Sequence, residues 1–185
     1  MKNLISLWLL LISAGLSITA QTKDLVVIDE SIQDINLLKH SILREAEVLM
    51  VNSETELWFE IYRITSTNQN IKQVHLLLPV KEGKLVLNGT TYDENSISDL
   101  FDLKLLKNKE ISLLFYGSNF ASSENGKAIL NKISELTNLS VAASETATAG
   151  ENKGGDWGLE YQTNSDLVFE PIFNEDALKD YPQNF

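Results

Sequence analysis

From Asp24 onward, short apolar runs alternate with longer stretches in which apolar residues recur every three or four positions, the pattern of an α/β domain. Leu25-Val26-Val27-Ile28 predicts a first strand, closed by Asp29-Glu30-Ser31. Ile35, Leu37, Leu38, Ile42 and Leu43 then fall at helical spacing, which predicts a helix over 33–46. Residues 47–51 predict a second strand. Ser53, followed by Glu54-Thr55-Glu56, reads as an N-cap with acids in the first turn of a helix ending near Thr67. Residues 74–78 predict a third strand, stopped by Pro79, which brings no N–H to a ladder.

The second half of the chain continues the alternation with one interruption. Lys84-Leu85-Val86-Leu87 and Thr90-Thr91-Tyr92 flank Asn88-Gly89, a pair suited to a two-residue primed turn, so a β-hairpin is expected. A helix over 96–103 and a fourth parallel strand over 111–115 follow. Ala128, Ile129, Ile133 and Leu136 mark one face of a helix over 125–136, and residues 139–143 predict a further strand. Residues 144–155 are poor in large apolar side chains and read as a loop or weakly ordered arm. Trp157-Gly158-Leu159-Glu160-Tyr161 alternates as a late strand would, and the aromatic-bearing stretch over 164–185 is expected to pack along the domain. The expected fold is a three-layer αβα sandwich with a mostly parallel sheet and a small hairpin, occupying residues 21–163, with 164–185 as its packed tail.

The first twenty residues stand apart. Lys2 precedes an apolar run from Leu4 to Leu16, broken by Ser6, Ser13 and Gly15, and Ser17-Ile18-Thr19-Ala20 precedes Gln21. This is the layout of a secretory signal peptide cut near Ala20, and the run falls short of the roughly 20 residues a membrane span needs. The expected location is therefore outside the cytoplasm: periplasmic, extracellular or at the cell surface. The net charge is −11 over 185 residues, and removing residues 1–20 takes away Lys2 and no acid. An acidic chain with no basic cluster lacks what nucleic acid or an anionic lipid surface requires. With no Cys, disulfide and thiolate chemistry are excluded within the chain. No acidic loop has EF-hand spacing, and no cofactor is implied.

Several segments in order resemble one known family. They are Val26-Val27-Ile28-Asp29, Val74-His75-Leu76-Leu77, Leu85-Val86-Leu87 with Thr90-Thr91, Leu114-Phe115-Tyr116-Gly117 with Asn119 and Ala121, Val141-Ala142-Ala143-Ser144, and 154–161. The set is similar to the uncharacterised caspase-like domain found near the N-termini of very large exported bacterial proteins with cadherin-like or calcium-binding repeats. In that family the third strand reads His-hydrophobic-hydrophobic-Ser-His-Gly and the fourth ends in Tyr-Gly-Cys-Asn or Tyr-Gly-Cys-Asp. The His-Gly and Gly-Cys pair resembles the dyad of caspase-like cysteine peptidases. On this chain the dyad His falls at Pro79, its Gly at Val80 and the Cys at Ser118. The resemblance thus implies a caspase-like sheet whose catalytic positions are both replaced.

Ser118 needs a base within hydrogen-bond reach to act as a nucleophile. His75 lies four residues before Pro79, about 13 Å back along the strand at roughly 3.3 Å per residue. His40, the other imidazole, falls within the first predicted helix and reads as a surface residue. Trp157 reads as a core or edge anchor, Asp156 as a turn cap or bridge, and Asn119 as a turn residue. Asn88-Gly89-Thr90 and Asn138-Leu139-Ser140 fit the glycosylation sequon. The expectation is a non-catalytic binding or envelope-associated module with a protein or peptide partner, its binding residues Tyr116, Gly117, Ser118 and Asn119 at the strand carboxyl edge. A hydrolase using Ser118, and a small-ligand binder at the same edge, are the alternatives.

Overall fold

A computed structural model describes residues 23–182 of the chain. The segment read as a signal peptide, residues 1–20, lies outside the described residues, as does Phe185. Six strands form the main sheet: β1 (Lys23–Asp29), β2 (Ala46–Val51), β3 (Ile71–Leu77), β7 (Ser112–Phe115), β8 (Ser140–Ala143) and β9 (Tyr161–Gln162). Their order is β2-β1-β3-β7-β8-β9, all parallel except β9, which runs antiparallel to β8. A second sheet of three short antiparallel strands comprises β4 (Val80–Lys81), β5 (Lys84–Leu87) and β6 (Thr90–Tyr92). The β5–β6 turn places Asn88 and Gly89 at φ of 53° and 73°, the paired positive values a primed turn requires.

Each central strand is buried on both faces, which explains why β1 and β3 are near-continuous apolar runs. One face carries Leu25, Val27, Val74, Leu76, Leu113 and Phe115. It is covered by α2 (Leu57–Thr67) and α3 (Glu124–Thr137), with Trp58, Ile61, Ile129 and Ile133 pointing inward. The opposite face carries Val26, Ile28, Leu77, Leu114 and Tyr116. A thinner layer covers it: Leu38 of α1 (Ile35–His40), Leu178 of α4 (Glu175–Leu178), and Trp157, Ile172, Phe173 and Tyr181 from the irregular segments. The architecture is therefore the expected three-layer α/β arrangement. Among the described residues no helix is long and apolar enough to cross a membrane.

Several local expectations give way to longer-range contacts. The first helix stops at His40 rather than 46: Ser41 turns its hydroxyl back to the Leu38 carbonyl, and Ile42 leaves to bridge Phe173. Ser53 does not cap α2. Asn52 instead closes a turn, its Oδ1 accepting from the Glu54 amide and the Thr55 hydroxyl, and the helix opens at Leu57 without a side-chain cap. The helix expected over 96–103 is two 3₁₀ turns, Ser96–Asp99 and Asp102–Leu106, pinned by Ile97, Leu103 and Leu106 in the core. Of the late strand only Tyr161 joins Gln162 in β9, because Trp157 and Leu159 turn into the second core instead. The stretch over 144–155 is a loop, as expected, but an ordered one: Ser144, Thr148 and Ala149 are fully buried while 151–154 are exposed.

Candidate functional site

In an open α/β sheet, ligands meet the carboxyl ends of the strands where the strand order reverses direction. Here that reversal lies between β1 and β3, since β2 continues to one side of β1 and the rest of the sheet to the other. A cleft of about 350 Å³ occupies this place, lined by Asp29 and Glu30 after β1, Asn52 and Ser53 after β2, Pro79 after β3, and Val86 and Asn88 of the hairpin. The hairpin stands over the cleft because Val86 donates its amide to the Pro79 carbonyl at 3.0 Å. Sequence spacing alone conceals this cleft, since finding it requires the strand order. Of the residues lining it, Pro79 is the one that the family resemblance marks as a former catalytic position.

The neighbouring strand ends carry the other predicted residues. In the β3–β7 ladder, His75 lies opposite Leu114 and Leu76 opposite Phe115. Carrying this register three positions further sets Pro79 opposite Ser118. The chains remain close beyond the ladder: the Tyr116 amide donates to the Leu76 carbonyl at 2.9 Å. Gly117 is buried against β4, and a Cβ there would sit 2.3 Å from Val80 Cγ2 and 3.3 Å from the Leu78 carbonyl. Glycine is what permits that approach.

Ser118 is half-buried, and its oxygen accepts hydrogen bonds from the Thr148 amide and the Asn119 side-chain amide, both at 3.2 Å. Neither partner is able to take a proton from a hydroxyl. Asn119 is exposed with φ of 56°, a left-handed turn position before a short 3₁₀ turn. Its amide donates to the Thr146 carbonyl, and the Ala121 amide to that of Ser144. Residues 144–148 are thereby laced across the ends of β7 and β8. The Thr146 hydroxyl donates to Asp156, whose carboxylate also accepts the Gly158 amide, so Asp156 bridges and caps this loop.

Tyr116 does not line a groove. Its side chain points into the second core, 2% exposed, against Trp157, Phe173 and His75. Of the four predicted binding residues, only Ser118 and Asn119 retain accessible surface. Trp157 is a core anchor, packed on Tyr116, Phe173 and Tyr181. Asn88 sits exposed at the hairpin turn, and Asn138 caps α3 with its amide donated to Asn108.

Away from the carboxyl edge, the sheet holds a buried polar chain. His75 has no exposure, and its Nδ1 lies 3.1 Å from the Tyr116 hydroxyl. Its Nε2 faces Asp24 Oδ2 at 3.8 Å, outside hydrogen-bond range. Asp24 accepts from Arg44 Nε, and the same guanidinium donates to the carbonyls of Glu170 and Pro171. Burial pushes the His75 imidazole down from its ordinary value, against the pull of Asp24, so it stays neutral. The Tyr116 phenol is pushed up by burial. Burial alone would raise Asp24, but the facing His75 imidazole and the Arg44 guanidinium together hold its carboxyl below the ordinary range. His75 therefore serves Tyr116 and Asp24 and makes no contact with Ser118. Among the described residues no group of three or more Asp, Glu or His is placed to hold a metal ion.

The family described as "Domain of unknown function (DUF4347)" matches residues 25–185. No curated protein and no solved structure matches the chain.

Proposed function

Taking as premise that the chain belongs to the family of domains of unknown function DUF4347, we propose that it is an exported, non-catalytic, caspase-like domain that works by binding a protein or peptide. The observation that carries this reading is the occupancy of the β3 and β7 tips. Where the resemblance aligns a His and a Cys, this chain carries Pro79 and Ser118, and the Ser118 oxygen is held by two amide donors. A serine hydroxyl without a base is a weak nucleophile at neutral pH. The cleft at the β1–β3 switch point, lined by Asp29, Glu30, Pro79 and Val86, offers a place for such a partner.

The test is chemical labelling of the full chain with a fluorophosphonate, followed by peptide mass spectrometry. No adduct at Ser118 is expected. An adduct that Ser118→Ala removes would establish the hydrolase reading instead. Export is tested separately by expressing the chain with its own first residues and sequencing the N-terminus of the product recovered outside the cytoplasm. Cleavage after Ala20 is expected, and retention of Met1 in the cytoplasm would refute export.

A further inference from the structure

The chain contains two Asn-Gly dipeptides, Asn88-Gly89 and Asn125-Gly126. In this pair an asparagine side chain is most readily attacked by the backbone nitrogen that follows it, because glycine puts no Cβ in the way. Both asparagines are exposed, so sequence and accessibility rank them equally. What separates them is the state of the attacking amide.

At Gly126 that amide is committed. It donates to Ser123 Oγ at 3.1 Å, the N-cap bond of α3, and the buried glycine packs against the Phe120 carbonyl. Reaction at Asn125 therefore requires the first turn of the helix to open. At Gly89 the amide has no hydrogen-bond partner among the described residues, and the space that a Cβ would take is open. The Asn88 side chain has one weak tether, its Nδ2 lying 3.5 Å from the Thr55 carbonyl oxygen, at the limit of a hydrogen bond. Attack requires the Asn88 Cα–C bond to rotate out of the turn geometry. Besides that tether, what opposes the rotation is the last pair of the hairpin, Leu87 with Thr90.

We propose that Asn88 is a site of spontaneous deamidation, whose product recharges and reshapes the switch-point cleft. The Gly89 nitrogen, having given its proton to solvent, attacks Asn88 Cγ. The new N–C bond closes a five-membered succinimide, and the Cγ–Nδ2 bond breaks to release ammonia, which takes up a proton from solvent. One water then opens the ring at either carbonyl, leaving aspartate or isoaspartate at position 88. The net exchange is water for ammonia, with no oxidant and no enzyme. Asn88 and Gly89 line the cleft together with Asp29 and Glu30, so the product adds a third carboxylate to a rim that already carries two. Isoaspartate also routes the main chain through Cβ and Cγ. The added atom does not fit a two-residue primed turn, and the pairing of Leu87 with Thr90 loosens.

The test is to age the full chain at mildly alkaline pH, folded and in parallel in concentrated guanidinium chloride, and then to digest it with trypsin. Cleavage after lysine places the two asparagines in separate peptides, 85–104 and 110–127. Fragmentation mass spectrometry reads the amide-to-acid mass change at each position, and electron-transfer fragmentation tells isoaspartate from aspartate. In denaturant the two positions are expected to convert alike. In the folded chain Asn88 is expected to convert at least about tenfold faster than Asn125, whose helix turn must open first. Asn88→Gln, which would have to close a larger ring, is expected to leave position 88 unchanged. The aged form, more negative than the original, is separable by anion exchange. It is expected to lose hydrogen-exchange protection in β5 and β6 while β1 and β3 keep theirs. Equal folded rates at the two positions, an Asn88 that stays intact while the denatured sample converts, or an aged form with unchanged hairpin protection would each overturn the proposal.

Discussion

The neutral, buried His75 makes the fold sensitive to mild acid, and the size of the effect follows from its surroundings. In the unfolded chain an imidazole takes up a proton near pH 6.5. In the folded chain burial opposes that proton, and His75 titrates lower. Below pH 6.5 the unfolded state therefore binds more protons than the folded state, and stability falls as pH falls. The slope is at most about 1.4 kcal/mol per pH unit for one group, so about 2 kcal/mol is the ceiling of the loss by pH 5. Asp24 acts in a lower window: its folded carboxyl lies below the ordinary value, so its contribution is full above about pH 4 and lost beneath it. The interval from pH 6.5 to 5 thus belongs to the imidazole. Urea unfolding followed by tryptophan fluorescence, in a His40→Gln background so that one imidazole is read, measures it. His75→Gln lowers stability at pH 7 by breaking the Tyr116 contact, but is expected to flatten the slope between pH 6.5 and 5. Equal slopes with and without His75, or an NMR titration of the folded imidazole at its ordinary value, would refute the reasoning.

Three further outcomes are expected. Pro79→Cys with Ser118→Cys, in a chain that has no other Cys, should form a disulfide on mild oxidation, because the β3–β7 register, extended three positions past its last pair, brings the two within the 4.4–6.8 Å Cα separation that the bond needs; persistence of two free thiols in the folded protein would show that the tips diverge. Arg44→Leu should cost about 3 kcal/mol in unfolding free energy, since it strands the Asp24 carboxylate, 4% exposed, and also frees the Glu170 and Pro171 carbonyls; a loss under about 1 kcal/mol would mean that water replaces the guanidinium. Gly126→Ala should cost about 3 kcal/mol or more, because its Cβ would fall 1.6 Å from the Phe120 carbonyl oxygen, a backbone atom on the turn that α3 packs against; an unchanged melting temperature would show that the turn moves freely.

The sheet was largely legible in the sequence because its buried strands are short apolar runs bounded by turn residues, and Asn88-Gly89 specified the hairpin by local conformation alone. The pairing of the third and fourth runs as parallel neighbours was legible too. What escaped was decided by residues far apart in the chain. Ile42 and Leu43 continue the helical periodicity of α1, yet Ile42 is claimed by Phe173 and the Leu43 amide by the Ile172 carbonyl. Tyr116 looked like a rim residue because it follows a strand, but strand alternation carries it to the face that Trp157 and Phe173 cover. The link from His75 through Asp24 to Arg44 joins three elements, and no local spacing announces it.

The second core is completed by residues distant from the strands they cover: Ile172, Phe173, Leu178 and Tyr181 close the face that bears Val26, Leu114 and Tyr116. A chain made only through Gln162 holds all nine strands of the described residues but covers this face only in part, through Ile32, Leu38, Trp157 and Leu159. Completion of that half depends on residues 172–181, so a chain lacking them presents one side of its sheet to chaperones and to unwanted association.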